Sequence, residues 1–307
     1  MNQLHKGESL YQTAEKEIIN CISCGYAHVI PLPSMASTLP IYLEQYWSDE
    51  KITHKRSDRE SRWQKNHAKL KLNILHKTLN RKDPRLLEVG CGVGIFLETA
   101  NELGWQTTGI ELSPHARKQC VDLGLNVPYC SIFDPLLTAE NKFDVIHFGL
   151  ILEHLINPVE HLLRAKDLLT ANGLISIVVP NDFNPLQKLH CEIADSPPWW
   201  VSPDHHINYF NQSSINHLLS SHGITPTHIS SSFPMEFFLL SGDNYTQNGA
   251  LGRACHEKRV QFENSFFDHG KERLLEEIYT KLGSINLGRE IFIIGTKNHT
   301  QTTWKCR

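Results

Sequence analysis

The sequence predicts an α/β protein in which a mostly parallel sheet carries helices on both faces. Two observations lead there. From Arg85 onward, short apolar runs alternate with helix-patterned segments, as in parallel strands covered by crossover helices. The first run, Leu86–Val89, passes straight into a loop with glycine at positions 90, 92 and 94 and then into a helical pattern. Such a loop lets a ligand approach the backbone where side chains would block it.

Size and charge limit the rest. The 307 residues allow one large domain or two ordinary ones. With 40% hydrophobic and 21% charged residues, the chain belongs with folded rather than disordered proteins. Thirty Lys and Arg against 33 Asp and Glu leave a net charge of −3, with no basic block. That balance argues against a protein held to nucleic acid by phosphate neutralisation, although a locally read RNA stays open. The N-terminus lacks an apolar signal core and no apolar run is long enough to span a bilayer, so the expectation is a cytoplasmic protein without a membrane partner.

Along the chain, residues 1–50 read as a small N-terminal module, irregular through residue 45, and 51–84 as a link containing a helix from about Ser57 to Leu79. Trp63, His67, Leu70, Ile74 and Leu79 recur there at spacings near three and four, and Asp83-Pro84 breaks the pattern. Residues 85–298 form the main domain and 299–307 a tail. Its strands are expected at Leu86–Val89, Thr108–Leu112, Val127–Ile132, Phe143–Phe148, Leu174–Val179, His228–Ser232 and Ile291–Gly295. Ser113-Pro114 and Asn157-Pro158 supply helix N-caps with proline at the first helical position, Gly124 and Gly173 the matching stops, and Asn211 to Gly223 repeats the design. Two segments interrupt the alternation. Residues 181–210 form a polar, aromatic connection of the length typical of lids, and 234–287 a helical insertion or a surface on which two copies could pair.

The chemistry gathers at the glycine loop. Its spacing, Gly90, Gly92, Gly94, departs from the dinucleotide fingerprint, which would want a glycine at Ile95. Glu88, two residues before the first glycine, repels a pyrophosphate and attracts an ammonium group. Glu111, 21 residues beyond Gly90, ends the second strand where a carboxylate can accept both ribose hydroxyls. The pair fits a ligand with an amino acid at one end and a ribose at the other.

In these residues the chain resembles the class I S-adenosylmethionine-dependent methyltransferases, over about Arg85 to Asn298. The resemblance rests on Glu88-Val-Gly-Cys-Gly-Val-Gly94, Gly109-Ile-Glu111, Phe143-Asp-Val-Ile146, Leu152-Glu-His-Leu155 with Asn157-Pro158, and Glu290-Ile-Phe-Ile-Ile-Gly295. It implies a Rossmann-like, seven-stranded sheet whose last strand is antiparallel, with S-adenosyl-L-methionine as cofactor. It implies that Gly90, Gly92 and Gly94, with Cys91, lie along the methionine part, and that Glu111 and Leu112 meet the ribose. Ser131 and Ile132, or else Asp134, would face the adenine, and Gly149 would be a further cofactor contact.

Methyl transfer from a sulfonium asks the protein mainly to align the reacting atoms and, where needed, to remove a proton. Candidate groups are Glu153 and His154 after the fourth strand, and His206 and Tyr209 in the connection Pro197–Phe210, whose Trp199 and Trp200 can line an acceptor pocket. His154 and His206 fit equally well as residues that order the cofactor loop and the lid, and the tryptophans as core packing.

Eight cysteines are too sparse for a disulfide scaffold, and only Cys21 and Cys24 have informative spacing. With His28 they match one half of a zinc knuckle, His5 being a possible fourth ligand; a reduced pair at a turn is the simpler reading. The segment resembles the N-terminal knuckle of deoxysugar C-methyltransferases, which carry two such pairs, and Tyr42–Trp47 resembles the aromatic segment that closes over the cofactor there. The functional expectation is therefore a methyltransferase acting on a small-molecule acceptor such as a sugar or secondary metabolite. The alternatives are an RNA or protein methyltransferase, and a non-catalytic binding protein that keeps the cofactor fold.

Overall fold

The computed structural model describes residues 5–40, 43, 58–138 and 142–297. Tyr42 and Tyr46-Trp47 of the aromatic segment, residues 51–57 of the link and the 299–307 tail lie outside them.

The central sheet is built from β4 (Arg85–Val89), β5 (Gln106–Ile110), β6 (Phe143–Gly149), β7 (Leu169–Pro180), β9 (Ile224–Ser231) and β10 (Glu290–Lys297), in the order β5-β4-β6-β7-β10-β9. β4 pairs in parallel with both β5 and β6, and β6 with β7, while β10 runs antiparallel between β7 and β9. The last strand is thus antiparallel, as expected. Because successive side chains of a strand point to opposite faces, neighbouring residues enter different cores. Leu86, Val145, Leu174 and Phe292 pack with Leu72, Leu75 and Leu97 on one face, and Leu87, Ile146, Ile175 and Ile293 with Leu162, Ala165 and Leu218 on the other.

The helices that cover these faces start where the sequence marks them. α2 (Asp58–Leu79) has acidic residues in its first turn and His76 and Lys77 in its last, which suits the helix dipole. α3 (Ile95–Glu102) follows the glycine loop, and α4 (Pro114–Asp122) is capped by Ser113. α5 (Pro158–Leu168) has proline in its first turn, and α7 (Gln212–Ser221) begins with a capping box made by Asn211 and Ser214.

Several expectations give way. Among the described residues the main sheet has six strands, because Val127–Ile132 forms no ladder. Asn126 accepts one hydrogen bond from Gly109 at 2.9 Å, and Pro128 then has no N–H with which to continue the pairing. Gly173 is not a helix stop but lies inside β7, where its missing side chain admits Leu169 and the Phe143 carbonyl. The N-terminal module is not irregular. β1 (Gly7–Gln12), β2 (Glu17–Cys21) and β3 (Ala27–Ile30) form an antiparallel sheet, followed by a short helix, α1 (Met35–Pro40).

A strand from the 181–210 connection, β8 (Asn208–Tyr209), completes that small sheet, with Ala27 opposite Tyr209 and His28 opposite Asn208. The same connection carries α6 (Pro185–Ala194). The insertion is helical, as α8 (Glu236–Leu240), α9 (Gly249–Asp268) and α10 (Glu272–Ser284). Its buried Glu263 holds α2 in place by accepting from Trp63 Nε1, from the Tyr279 hydroxyl and, at 2.7 Å, from His67 Nε2.

Candidate active site

Strand order reverses direction on either side of β4, and the crevice at such a switch point, beyond the carboxyl ends of the strands, is where ligands bind in open α/β sheets. A cavity of about 510 Å³ occupies that place, within the size range of small-molecule sites. Its floor is the loop after β4. Gly90 lies in the left-handed region at φ +71°, and a Cβ there would meet the Ile151 side chain at 2.8 Å.

Of the residues expected around the cofactor, Glu88, Gly90, Cys91, Gly92, Glu111, Leu112, Ser131, Ile132 and Gly149 line this cavity. Gly94 is not among the wall residues. It caps α3 at φ +81°, and a Cβ would run into Leu125 and Cys120, so its smallness serves packing behind the loop. Asp134 is not on the wall either: its carboxylate accepts from Leu136 N at 2.9 Å and closes a surface turn.

The two acidic groups differ in their partners. Glu111, just past β5, accepts from Gly92 N at 2.8 Å and from Ser113 N at 2.7 Å. Burial raises its carboxyl, and these backbone donors oppose the rise. Glu88 is buried with Oε2 unpartnered, and its carboxyl is held well above the usual range, first by burial and then by the neighbouring Cys120 and Glu111. An unpartnered buried carboxylate oxygen is costly unless something cationic or donating meets it, which fits the ammonium of an amino-acid ligand.

Of the expected catalytic residues, His154 lines the cavity; Glu153, His206 and Tyr209 stand behind it. His154 sits at the end of a 3-10 turn after β6 and its Nδ1 lies 2.8 Å from the His205 carbonyl. The His206 ring meets the His154 ring edge-on at 4.9 Å between centroids. Burial lowers both histidines, His206 to about 4. Glu153 is fully buried and its carboxyl is raised by that burial. Trp199 and Trp200 pack against each other and on His190 and Phe183, away from the cavity.

Other wall residues carry no motif. Trp63, Gln64, His67 and Lys71 come from α2, Phe96 from α3, His147 from β6 and Glu290 from β10. Trp63, His67 and Lys71 stand at i, i+4 and i+8, one stripe of a helix. Their polar members interrupt an otherwise apolar face, and that is the signal by which they could have been found. Lys71 makes no hydrogen bond or ion pair with the described residues; burial lowers its ammonium, with Glu290 and Glu263 opposing. His147 stacks on Phe96 at 4.0 Å, has Nδ1 2.8 Å from Ser176 Oγ, and is pushed down to about 3 by burial and then by Lys71.

An α/β sheet with a glycine-floored cavity and two acidic residues on its wall is the arrangement that the resemblance to the methyltransferases implies. A family model described as "Methyltransferase domain" matches residues 56–229, more than half of the chain, and the chain belongs to that family.

Among curated relatives, a ubiquinone biosynthesis O-methyltransferase of Stutzerimonas stutzeri is 28% identical over 134 residues, 41% of this chain and 58% of that protein. One of Pseudomonas fluorescens is 34% identical over 117 residues, 36% of this chain and 50% of that protein. The chain thus spans roughly half the length of the relatives it matches. Two solved structures share the fold. The plantazolicin methyltransferase BpumL in complex with SAH has a TM-score of 0.50 at 18% identity, covering 86% of this chain and 95% of its own. The 1,6-didemethyltoxoflavin-N1-methyltransferase of Burkholderia thailandensis has a TM-score of 0.50 at 15% identity, covering 95% and 100%. No helix among the described residues is long and apolar enough to cross a membrane.

Proposed function

We propose that this chain methylates an oxygen of a compact, partly apolar small molecule, a hydroxylated aromatic or similar secondary metabolite. S-adenosyl-L-methionine, when bound, supplies a methyl group already activated on a sulfonium, so the protein's task is placement and proton management. Glu88 would hold the ammonium of the amino-acid end and Glu111 the ribose hydroxyls, with Gly90, Cys91 and Gly92 as the floor between them and Leu112, Ser131 and Ile132 around the base.

The single observation that carries the reading is that Glu88, with its unpartnered buried oxygen, opens into the same cavity as Lys71 and His154. One side of the cavity therefore accepts a cation, and another offers a partly buried ammonium and a neutral imidazole. Lys71 draws the acceptor's hydroxyl or a neighbouring anionic group, His154 takes the hydroxyl proton, and Trp63 and Phe96 lie against its apolar part. His206, behind His154, fits a positioning role. The names of the curated relatives favour oxygen over nitrogen or carbon. Lys71 is the one Lys or Arg among the described wall residues, and a single cation suits a small acceptor better than a polyanion such as RNA.

The test uses methyl-labelled S-adenosylmethionine with a panel of catechols, hydroxybenzoates and nucleotide-linked sugars, alongside calorimetry with S-adenosylhomocysteine. Label transfer to a phenolic or alcoholic oxygen supports the reading. Heat of binding without transfer to any panel member would favour a non-catalytic binding protein, and no heat at all would remove the cofactor assignment.

A further inference from the structure

We infer that His5, Cys21, Cys24 and His28 form a closed structural zinc site, independent of the methyl-transfer reading, that fastens the N-terminal sheet to the segment behind the cavity wall. Their four ligand atoms lie within 4.8 Å of one another. His5 Nδ1 stands 3.7 Å from Cys21 Sγ and 3.4 Å from Cys24 Sγ. Around a tetrahedral zinc with Zn–S near 2.3 Å and Zn–N near 2.0 Å, a sulfur and a nitrogen ligand are about 3.5 Å apart, so these two distances already suit the metal.

His28 is the independent observation. It is 1% exposed, and its Nδ1 is engaged with the Val29 carbonyl at 2.9 Å, while Nε2 is buried with no hydrogen-bond partner. A backbone carbonyl on one ring nitrogen fixes the tautomer that leaves the other as a lone-pair donor, the usual outer support of a metal-bound histidine. An imidazole nitrogen orphaned in the interior has a cost that coordination removes. The His5 ring meets it edge-on at 4.7 Å. The two cysteines sit on a tight turn in which Gly25, at φ +75°, donates to the Cys21 carbonyl at 2.9 Å.

Two thiolates and two imidazoles are a soft donor set that suits zinc over magnesium or calcium. Four protein ligands leave no open position, so the site is structural rather than catalytic. Its ligand set, two histidines with a single cysteine pair, also differs from a knuckle of two cysteine pairs.

The placement says what the metal would hold. His28 lies on β3 opposite Asn208 of β8, Val29 donates to the Ile207 carbonyl at 2.9 Å, and Ile207 donates in turn to the Glu153 carbonyl at 2.8 Å. Asn208 Nδ2 also donates to the Leu152 and Leu155 carbonyls at 2.9 and 2.7 Å. The ligand cluster therefore connects through one strand pair to the turn that presents His154.

The full-length chain, purified without chelator, is expected to contain about one equivalent of zinc, or to take up one when zinc is added after stripping. Replacing the zinc with cobalt should give the intense visible d–d bands and thiolate charge transfer of a tetrahedral S₂N₂ site. Cys24→Ser and His5→Ala should each reduce zinc retention against a chromophoric chelator by at least about tenfold. His5→Ala, at the outer edge of the module, guards against a cysteine variant that simply fails to fold. Less than about a tenth of an equivalent as isolated, together with no uptake of zinc or cobalt by the native chain, overturns the site. So does full zinc retention by both variants. Binding of S-adenosylhomocysteine, measured on the same samples, reports on the cofactor site separately.

Discussion

The carboxylate of Glu111 accepts a 2.8 Å hydrogen bond from the backbone N–H of Gly92. One side chain thus shapes the glycine loop and, on the proposed reading, also meets the ribose. On that reading Glu111→Ala removes the ribose acceptor and loosens the loop together. Charged hydrogen bonds of this kind are worth about 1.5–3 kcal/mol, so calorimetry should find affinity for S-adenosylhomocysteine reduced by about ten- to a hundredfold. Unchanged affinity would mean that the nucleoside does not lie over this residue.

Glu88 predicts a proton released on binding. Its raised carboxyl keeps a proton in the ligand-free protein at pH values where an ordinary glutamate is ionised, and an incoming ammonium favours the ionised form. Affinity for the cofactor product should therefore rise with pH until Glu88 is ionised in the free protein. Calorimetry in buffers of different ionisation enthalpy should show protons leaving on binding, and Glu88→Gln should abolish the release while weakening binding. A release that persists in that variant would place its origin elsewhere.

Lys71→Met tests the acceptor side alone. The acceptor KM is expected to rise about tenfold or more, the loss of one charged contact, with affinity for S-adenosylhomocysteine unchanged. If both constants stay at native values, Lys71 does not face the acceptor.

The histidines predict an unusual pH profile. Burial lowers His154, and it lowers His206 to about 4. A base with a depressed pKa keeps its neutral form to lower pH than an ordinary histidine, so the acid limb of kcat/KM should lie below the usual histidine range. His154→Ala should lose about a hundredfold or more in kcat and keep cofactor affinity. His206→Ala should lose less. Near-native turnover in both variants would eliminate a histidine base.

Glu263 governs stability rather than chemistry. Burial alone would raise its carboxyl, but His67 and Arg259, with donation from Trp63, more than reverse this and hold it well below the usual range. A depressed carboxylate contributes stability that is present above its unfolded value, 4.5 here, and is lost as pH falls toward the native one. Glu263→Gln should cost about 3–5 kcal/mol, because it leaves Arg259 buried without its counter-charge. Its Tm should also depend less on pH below about 4.5 than that of the native chain. An unchanged Tm at pH 7 would show that the network adds nothing to holding α2.

Local features were legible wherever one stretch of chain carried both the signal and its purpose. Ser113-Pro114 and Asn211 mark helix starts by their caps and Pro158 by its place in the first turn, although Asn157 makes no side-chain cap, and a strand running into three glycines needs no distant partner to be recognised. The loss of Val127–Ile132 as a strand and of Gly173 as a helix stop shows the limit. Whether an apolar run joins a ladder, or a glycine ends a helix, depends on what lies beside it, and here Pro128 and the neighbouring Phe143 carbonyl decided.

By itself the sequence determined the sheet-and-helix alternation, the antiparallel last strand that its family resemblance implied, and the two acidic groups beside a glycine floor, because each is written in contiguous residues with a period or spacing of its own. Tertiary structure alone decided that Trp63, His67, Lys71, His147 and Glu290 share one cavity with Glu88. It also decided that His5 and His28 converge on Cys21 and Cys24, and that His154 faces the cavity while His206 stands behind it. Those are meetings of residues far apart in the chain, set by helix packing and strand pairing across the whole molecule, and no local pattern records them.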